Sequence, residues 1–270
     1  MVFAKHDRDD PEHEASDKLF ARELLSGKKS RGMVFGRRLF GNLPTDPRCK
    51  LCSAPFKGPF SPLMRAIGKG PWPRNPQYCG SCLTAMLKHR SGAEIEVSLL
   101  FADVRDSTTL AETMSPGEFR TLMDRFFHAA SRELVDHDAI IDKFVGDEVI
   151  GIFAPLLAGE RYAERAIAAG RAILRATGHD TPSPWLPVGA GVNTGVAYVG
   201  TVGNDELIDF TAMGDPVNVA ARLSSAAHAG ELLVSLSTLT AAGMPDDGLE
   251  HRSLELKGKT EVTEVVVLHA

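Results

Sequence analysis

The amino-acid sequence predicts an α+β fold with a βαββαβ core, preceded by a small region organised around cysteines. Two observations carry this prediction. From residue 93 onwards, strand-like and helix-like segments alternate, with a hairpin signal in the middle, which is typical of a sheet covered by helices. Before residue 93, all four cysteines of the chain fall into two CxxC pairs.

The elements of the core follow from hydrophobic periodicity and from residues that start helices. The apolar run 94–104 predicts a buried strand, and Ser115 before Pro116 predicts the start of a long amphipathic helix. The apolar runs 139–145 and 148–153 flank Gly146-Asp147, which predicts a hairpin. The other predicted elements are helices over 159–178 and 215–227 and strands over 188–195, 196–203, 206–213, 231–235, 251–259 and 264–270.

Charge divides the chain into unlike parts. Residues 1–92 carry 17 Lys or Arg and 8 Asp or Glu, whereas residues 93–270 carry 13 and 27. We predict a partly disordered segment with a short helix over 1–48, a four-cysteine module with a linker helix over 49–92, and a globular domain over 93–270. The basic region lacks a recognition helix and a series of stacking aromatics, which favours docking on the acidic neighbour over binding of nucleic acid.

The composition excludes several protein classes. With 43% hydrophobic and 24% charged residues, the chain is neither disordered nor collagen-like. It has no run of the roughly 18 apolar residues that a membrane-spanning helix needs, and its start, MVFAKHDRDDPEHE, is too charged for a secretory signal. We therefore expect a cytoplasmic protein without a membrane segment.

The cysteine pairs predict a metal site. Cys49 and Cys52 form one CxxC motif, and Cys79 and Cys82 form the second, after a spacer of 26 residues. Each motif can aim two thiolates at one ion, and two motifs complete a tetrahedral four-cysteine site. Zinc is the favoured metal ion, and an iron–sulfur cluster is the alternative. The spacer is rich in Pro and Gly, so we expect it to build turns rather than a core.

Two aspartates predict a second metal site. Asp103 ends the first predicted strand and Asp147 lies in the predicted hairpin turn, so both reach the same end of the sheet if these strands are neighbours. Carboxylate oxygens suit Mg²⁺ or Mn²⁺, and phosphate oxygens can complete the coordination. The segment after Asp106 begins a helix, and the free N–H groups near Ser107 and Thr108 are predicted to hold a polyphosphate.

Four segments together resemble the catalytic domain of class III nucleotidyl cyclases: FADVRDSTTLAE, KFVGDEV, FTAMGDPVNVAARL and LKGKTE. The resemblance covers about residues 94–270. It implies a ferredoxin-like catalytic fold and a head-to-tail homodimer whose active sites combine residues of both subunits. It also implies conversion of a nucleoside triphosphate into a 3′,5′-cyclic monophosphate and pyrophosphate.

The resemblance also implies roles for individual residues. Asp103 and Asp147 match the two aspartates that bind two Mg²⁺ or Mn²⁺ ions, and the carbonyl of Val104 is a further candidate ligand. Lys143 and Thr211 match the pair that recognises the base. This combination is similar to the adenine-reading subgroup with threonine, so the implied substrate is ATP and the implied product is cyclic AMP. Alternation along the strand places Asp142 on the face opposite Lys143, in a structural role.

The helix over 215–227 supplies the remaining matches. Asn218 corresponds to the residue that orients the ribose, and Arg222 to the arginine that stabilises charge on the phosphates. They are four residues apart and share one helix face. Lys259, or else Lys257, corresponds to a C-terminal lysine that contacts the polyphosphate in some members.

Two departures from the family pattern leave alternatives open. Asp106 stands where the phosphate loop usually has Gly, and Ser107 stands where Phe is common. The alternatives to an adenylyl cyclase are a guanylyl cyclase or one of relaxed specificity, because a threonine hydroxyl can donate or accept a hydrogen bond. An alternative from a different class of protein is a four-cysteine binding or redox-sensing module joined to an inactive cyclase-like dimerisation domain.

Overall fold

A computed structural model describes residues 35, 39–40, 47–72, 75–82, 84, 92–203, 208–255 and 262–270 of the chain. These residues form an eight-stranded sheet with helices packed on it, and a two-stranded sheet near the cysteines. In the described part of the chain, no helix has the length and apolar composition needed to cross a membrane.

From residue 92 onwards, the helices and strands with described bounds alternate as the sequence predicts. The helices are α1 (Ser61–Ala66), α2 (Ser107–Thr113), α3 (Pro116–Asp136), α4 (Pro155–Ala158), α5 (Tyr162–Ala176), α6 (Asp215–Ala226) and α7 (Leu236–Ala242). The strands are β1 (Pro71–Trp72), β2 (Asn75–Cys79), β3 (Gly92–Val104), β4 (Ile140–Val145), β5 (Glu148–Phe153), β6 (Val188–Gly203), β7 (Ile208–Met213), β8 (Leu232–Ser235), β9 (Glu250–Leu254) and β10 (Thr263–Leu268).

The order of the large sheet confirms the ferredoxin-like core. The strands run β4-β5-β3-β6-β8-β10-β9, and β7 pairs with β6. The four strands β6-β3-β5-β4 are neighbours with antiparallel pairing, as a βαββαβ unit requires. On one face of β3, Leu100 packs in a core with Phe126 of α3 and Ile173 of α5. On the other face, Leu99 and residues near it pack with Ala220 of α6.

Local signals set the ends of several elements as predicted. Ser115 and Glu118 form a capping box at the start of α3, in which each side chain bonds the backbone N–H of the other residue. Gly146 adopts φ +64° in the turn between β4 and β5, which a glycine tolerates without strain. The helix α6 begins at Asp215 with a proline in its first turn.

One long strand replaces the two that were predicted over 188–195 and 196–203. That prediction was wrong because the glycines there do not form a turn; β6 runs unbroken and pairs with β3 along 13 residue pairs. Gly189, Gly191 and Gly195 instead lie beneath α6. A Cβ atom on Gly191 would lie 2.3 Å from the backbone nitrogen of Ser224. These glycines let α6 lie directly against the sheet.

The cysteine region has a core of its own, contrary to the expectation of turns alone. Its spacer contains α1 and the β1–β2 hairpin. Phe56, Met64 and Tyr78 are buried together with the cysteines. Leu156 and Leu157 of the larger domain pack against the same cluster. Apolar side chains between the Pro and Gly residues therefore give the spacer a fixed fold.

Several sequence-based expectations concern residues outside the described ones. These are the disorder and short helix within 1–48, most of the linker helix after Cys82, and the polyphosphate role of Lys257 or Lys259.

Candidate active site

The two predicted metal aspartates lie side by side at one end of the strands and form, together with Glu148, an acidic edge. Asp103 is the penultimate residue of β3 and lies beside Asp147, which lies in the turn between β4 and β5. The strand register also places Glu148 directly opposite Asp103. Burial, together with the neighbouring carboxylates, raises the pKa of Asp103 to about 6 and that of Glu148 to about 7. The arrangement concentrates negative charge in a partly buried place.

This acidic edge fits a divalent cation. Its donors are all carboxylate oxygens, which hard ions such as Mg²⁺ and Mn²⁺ prefer. A cation here would offset the repulsion between Asp103 and Asp147. In the present arrangement the guanidinium of Arg105 forms an ion pair with Asp103. Arg105 also donates to the carbonyl of Ser225 at 3.2 Å, which ties the acidic edge to the end of α6.

The segment after Asp103 forms the predicted helix start. Val104 is buried at the end of β3, and Ser107 and Thr108 open α2. Asp106 precedes the helix with φ +55°, in the left-handed region that favours glycine, and its side chain makes no capping hydrogen bond. The glycine that is usual in the family at this position would therefore suit the same backbone conformation.

The predicted base-recognition residues lie in a second cluster, formed by β4 and β7. Thr211 donates a hydrogen bond to Asp142 Oδ2 at 2.8 Å. Lys143 Nζ lies 2.9 Å from Asp209 Oδ2 and 3.6 Å from Asp142 Oδ1. The structure thus brings Lys143 and Thr211 together through two aspartates.

The expectation that Asp142 lies opposite Lys143 was wrong. The register between β4 and β5 shifts between Ile141 and Phe144, so that β4 carries one residue more than its partner there. Such a bulge interrupts the alternation of side chains. Asp142 therefore reaches the same cluster as Lys143, and its side chain is only 5% exposed.

Asn218 and Arg222 lie on α6, one turn apart, as predicted. Asn218 is exposed and Arg222 is half-buried. Neither side chain has a hydrogen bond or ion pair with another described residue. The peptide before them is fixed to the sheet, because Asn193 on β6 donates to the carbonyl of Pro216 at 3.0 Å. Both side chains are therefore free to contact a ligand.

The four cysteines form a compact cluster of free thiols, in agreement with the predicted metal site. Their sulfur atoms all lie within 4.8 Å of one another, and those of Cys52 and Cys79 are 3.7 Å apart. The backbone N–H of Cys79 donates to Cys49 Sγ at 3.3 Å. Hydrogen bonds from the neighbouring thiols lower the pKa of Cys49. This set of four sulfurs could bind a metal ion.

The first cysteine motif contacts the larger domain near the end of α3. Lys50, between Cys49 and Cys52, donates to the carbonyl of Val135 at 3.2 Å and forms an ion pair with Asp138. Asp138 also pairs with Arg165 of α5. It lies two residues before β4, the strand that carries Lys143. The cysteine cluster and β4 are thus joined by a short chain of contacts.

Sequence reasoning missed four groups in these clusters. Arg105 and Glu148 adjoin the acidic edge, while Asp142 and Asp209 adjoin Lys143 and Thr211. Arg105 lies two residues after Asp103, so their ion pair is the one local contact among these. The contacts of Glu148, Asp142 and Asp209 depend on strand register, long-range packing and a bulge, which no local pattern reveals.

Comparison with known proteins identifies the family. The description "Adenylate and Guanylate cyclase catalytic domain" matches residues 90–269. The chain therefore belongs to this family, the class III adenylyl and guanylyl cyclases.

Two curated relatives match part of the chain. The chain is 37% identical to adenylate cyclase 1 of Rhizobium meliloti over 134 residues, which is 47% of this chain and 20% of that protein. It is 34% identical over 153 residues, 56% of this chain, to an uncharacterized protein of Mycobacterium tuberculosis, covering 28% of it. The chain thus spans well under half the length of the curated relatives it matches.

Two solved cyclase structures share the fold. The guanylyl cyclase Cya2 superimposes with a TM-score of 0.57 at 27% identity, covering 66% of this chain and 93% of that one. The adenylyl cyclase CyaB from P. aeruginosa gives 0.55 at 30% identity, covering 65% and 94%.

Proposed function

We propose that the protein is an adenylyl cyclase that converts ATP into 3′,5′-cyclic AMP and pyrophosphate. The observation that carries the proposal is the cluster in which Lys143 and Thr211 meet, separate from the acidic pair of Asp103 and Asp147. A lysine donor matches adenine N1, and a hydroxyl acceptor matches the 6-amino group. Because ATP and reduced thiols are cytoplasmic, we place the enzyme there.

The reaction needs positioning and charge neutralisation more than a protein base. Asp103 and Asp147 would hold two Mg²⁺ or Mn²⁺ ions, which when bound supply Lewis-acid stabilisation of the attacking oxygen and of the pyrophosphate. Asn218 orients the ribose so that its 3′ oxygen faces the α-phosphorus. Arg222 neutralises charge that develops on the phosphates as the bond to pyrophosphate breaks.

We propose that the active enzyme is a homodimer with shared sites. Within one chain, no hydrogen bond or ion pair among the described residues joins the acidic edge to Lys143, Thr211, Asn218 or Arg222. Apolar side chains on the strands that carry the site are exposed, which suits burial against a second copy. They are Phe144 and Val145 on β4, Val196 on β6 and Met213 on β7.

Two assays test this function. Purified protein is given ATP or GTP with Mn²⁺, and kcat/KM for ATP is expected to be the larger. Asp103→Ala and Arg222→Ala are then mixed; each is expected to be inactive alone, whereas the heterodimer regains one intact site. A better rate with GTP would contradict the base assignment. No recovery in heterodimers shown to form would contradict the shared site.

We further propose that the cysteines hold one zinc ion and that this module regulates the cyclase. Metal–sulfur bonds of about 2.3 Å in a tetrahedron give sulfur–sulfur edges of about 3.8 Å, close to the 3.7 Å between Cys52 and Cys79. An iron–sulfur cluster, the alternative, places several ions between the sulfurs and needs them farther apart. The contacts of Lys50 with Asp138 support coupling of the module to β4.

A further inference from the structure

Thr211 has its hydroxyl proton engaged by the protein. Its Oγ1 lies 2.8 Å from Asp142 Oδ2 and 3.4 Å from the carbonyl oxygen of Ala212. A carboxylate and a carbonyl can only accept hydrogen bonds, so the hydroxyl must act as the donor towards either of them. A threonine hydroxyl has one proton. What it can still offer to another molecule is a lone pair.

We propose that Asp142 is a positioning residue that makes Thr211 a hydrogen-bond acceptor only, and thereby selects adenine over guanine. This inference rests on the proposed function, in which Thr211 faces the base. An acceptor suits the 6-amino group of adenine, which donates. It opposes the 6-oxo group of guanine, which accepts. The freedom of a threonine to donate or accept is thus removed by its neighbour.

The surroundings hold Asp142 in this role. The bulge in β4 turns its side chain towards β7, and the side chain is only 5% exposed. Its second oxygen, Oδ1, is buried, has no hydrogen-bond partner among the described residues, and lies 3.6 Å from Lys143 Nζ. Burial raises the pKa of Asp142, whereas the hydrogen bond from Thr211 and the positive charge of Lys143 act in the opposite direction and favour the ionised carboxylate. Asp142 consequently has little freedom to turn away from Thr211.

The first test uses the unaltered enzyme and a matched pair of ATP analogues. N6-methyl-ATP keeps an N–H donor at position 6. The triphosphate of 6-methoxypurine riboside has a group of similar size whose oxygen only accepts, and both keep N1 as an acceptor. We expect N6-methyl-ATP to be favoured about tenfold, the effect of one mismatched hydrogen bond of about 1.4 kcal/mol. The preference is measured as kcat/KM, or as Ki against ATP if neither analogue is cyclised.

The second test changes the acceptor. In Asp142→Asn the amide can donate to Thr211, whose proton is then available to the base. We expect the preference between the analogues, and that for ATP over GTP, to fall about tenfold. In a Thr211→Val background the same change should leave both ratios unaltered, because the hydroxyl through which Asp142 acts is gone. Thermal unfolding checks that the variants are folded.

The outcomes separate this inference from the proposed function. Preference for GTP by the unaltered enzyme would refute the proposed function itself. Preference for ATP with equal use of the two analogues would refute only the role of Asp142. The role of Asp142 would also be refuted if Asp142→Asn lowered the rates with ATP and GTP equally, or if its effect on the two ratios persisted in the Thr211→Val background.

Discussion

Replacing Gly191 by alanine tests whether close packing of α6 on the sheet positions Asn218 and Arg222, the proposed catalytic side chains. The added Cβ would lie 2.3 Å from the backbone nitrogen of Ser224 and 2.7 Å from the carbonyl carbon of Leu223. Comfortable contacts are about 3.5 Å or more, so α6 must move by about 1 Å. The obstructing atoms are backbone, and no side-chain rotation can relieve the contact. The helix that carries Asn218 and Arg222 must therefore move.

Two effects are expected from Gly191→Ala. Overpacking of this kind costs about 1–3 kcal/mol in the free energy of unfolding, which corresponds to roughly 2–4 °C in Tm for each kcal/mol in a domain of this size. A displacement of about 1 Å at Arg222 should lower kcat by about 100-fold. Activity is measured well below Tm, so that the unfolded fraction does not account for the loss.

The matched control for this experiment is Gly117→Ala. Gly117 lies in the first turn of α3, and a Cβ there would meet nothing within 4 Å. We expect this variant to keep full activity and to change the free energy of unfolding by less than about 1 kcal/mol. Wild-type kcat in folded Gly191→Ala would refute the argument that the approach of α6 positions the site.

The remaining predictions concern charge and metal. Asp147→Asn should nearly abolish cyclase activity yet raise Tm in EDTA, because it removes repulsion with Asp103; unchanged activity would contradict the metal assignment. Asp138→Asn keeps a residue that tolerates φ +66° but removes the ion pairs with Lys50 and Arg165. It should lower the free energy of unfolding by about 1–3 kcal/mol. The control Asp124→Asn removes an exposed ion pair and should leave the free energy of unfolding almost unchanged. Elemental analysis should find one zinc ion per chain in the wild-type protein and none in Cys79→Ser. Iron together with sulfide would contradict the zinc assignment. Wild-type activity of Cys79→Ser in an unchanged dimer would contradict a regulatory role for the module.

Local sequence signals predicted those parts of the fold that local interactions determine. The hairpin at Gly146-Asp147 and the start of α3 at Ser115 depend on residues close together in the chain, and both are confirmed. The order of elements then sufficed for the ferredoxin-like core. The continuity of β6 was missed because Gly195 packs beneath Pro216 of α6, whose proline ring would lie 2.8 Å from an added Cβ. A glycine at a close approach and one in a turn look alike in a sequence.

The cluster around Lys143 shows the same limit at the candidate site. Alternation assigns opposite faces to neighbours only while each residue of a strand faces one residue of its partner. Between Ile141 and Phe144, two residues of β4 face a single residue of β5, so Asp142 lies in the same cluster as Lys143 and accepts a hydrogen bond from Thr211. Motif matching therefore finds Lys143 and Thr211, the proposed base-reading pair, but misses Asp142, the carboxylate that accepts the hydrogen bond of Thr211. If that direction sets the choice of base, specificity depends on the backbone of β4 as much as on the identities of Lys143 and Thr211.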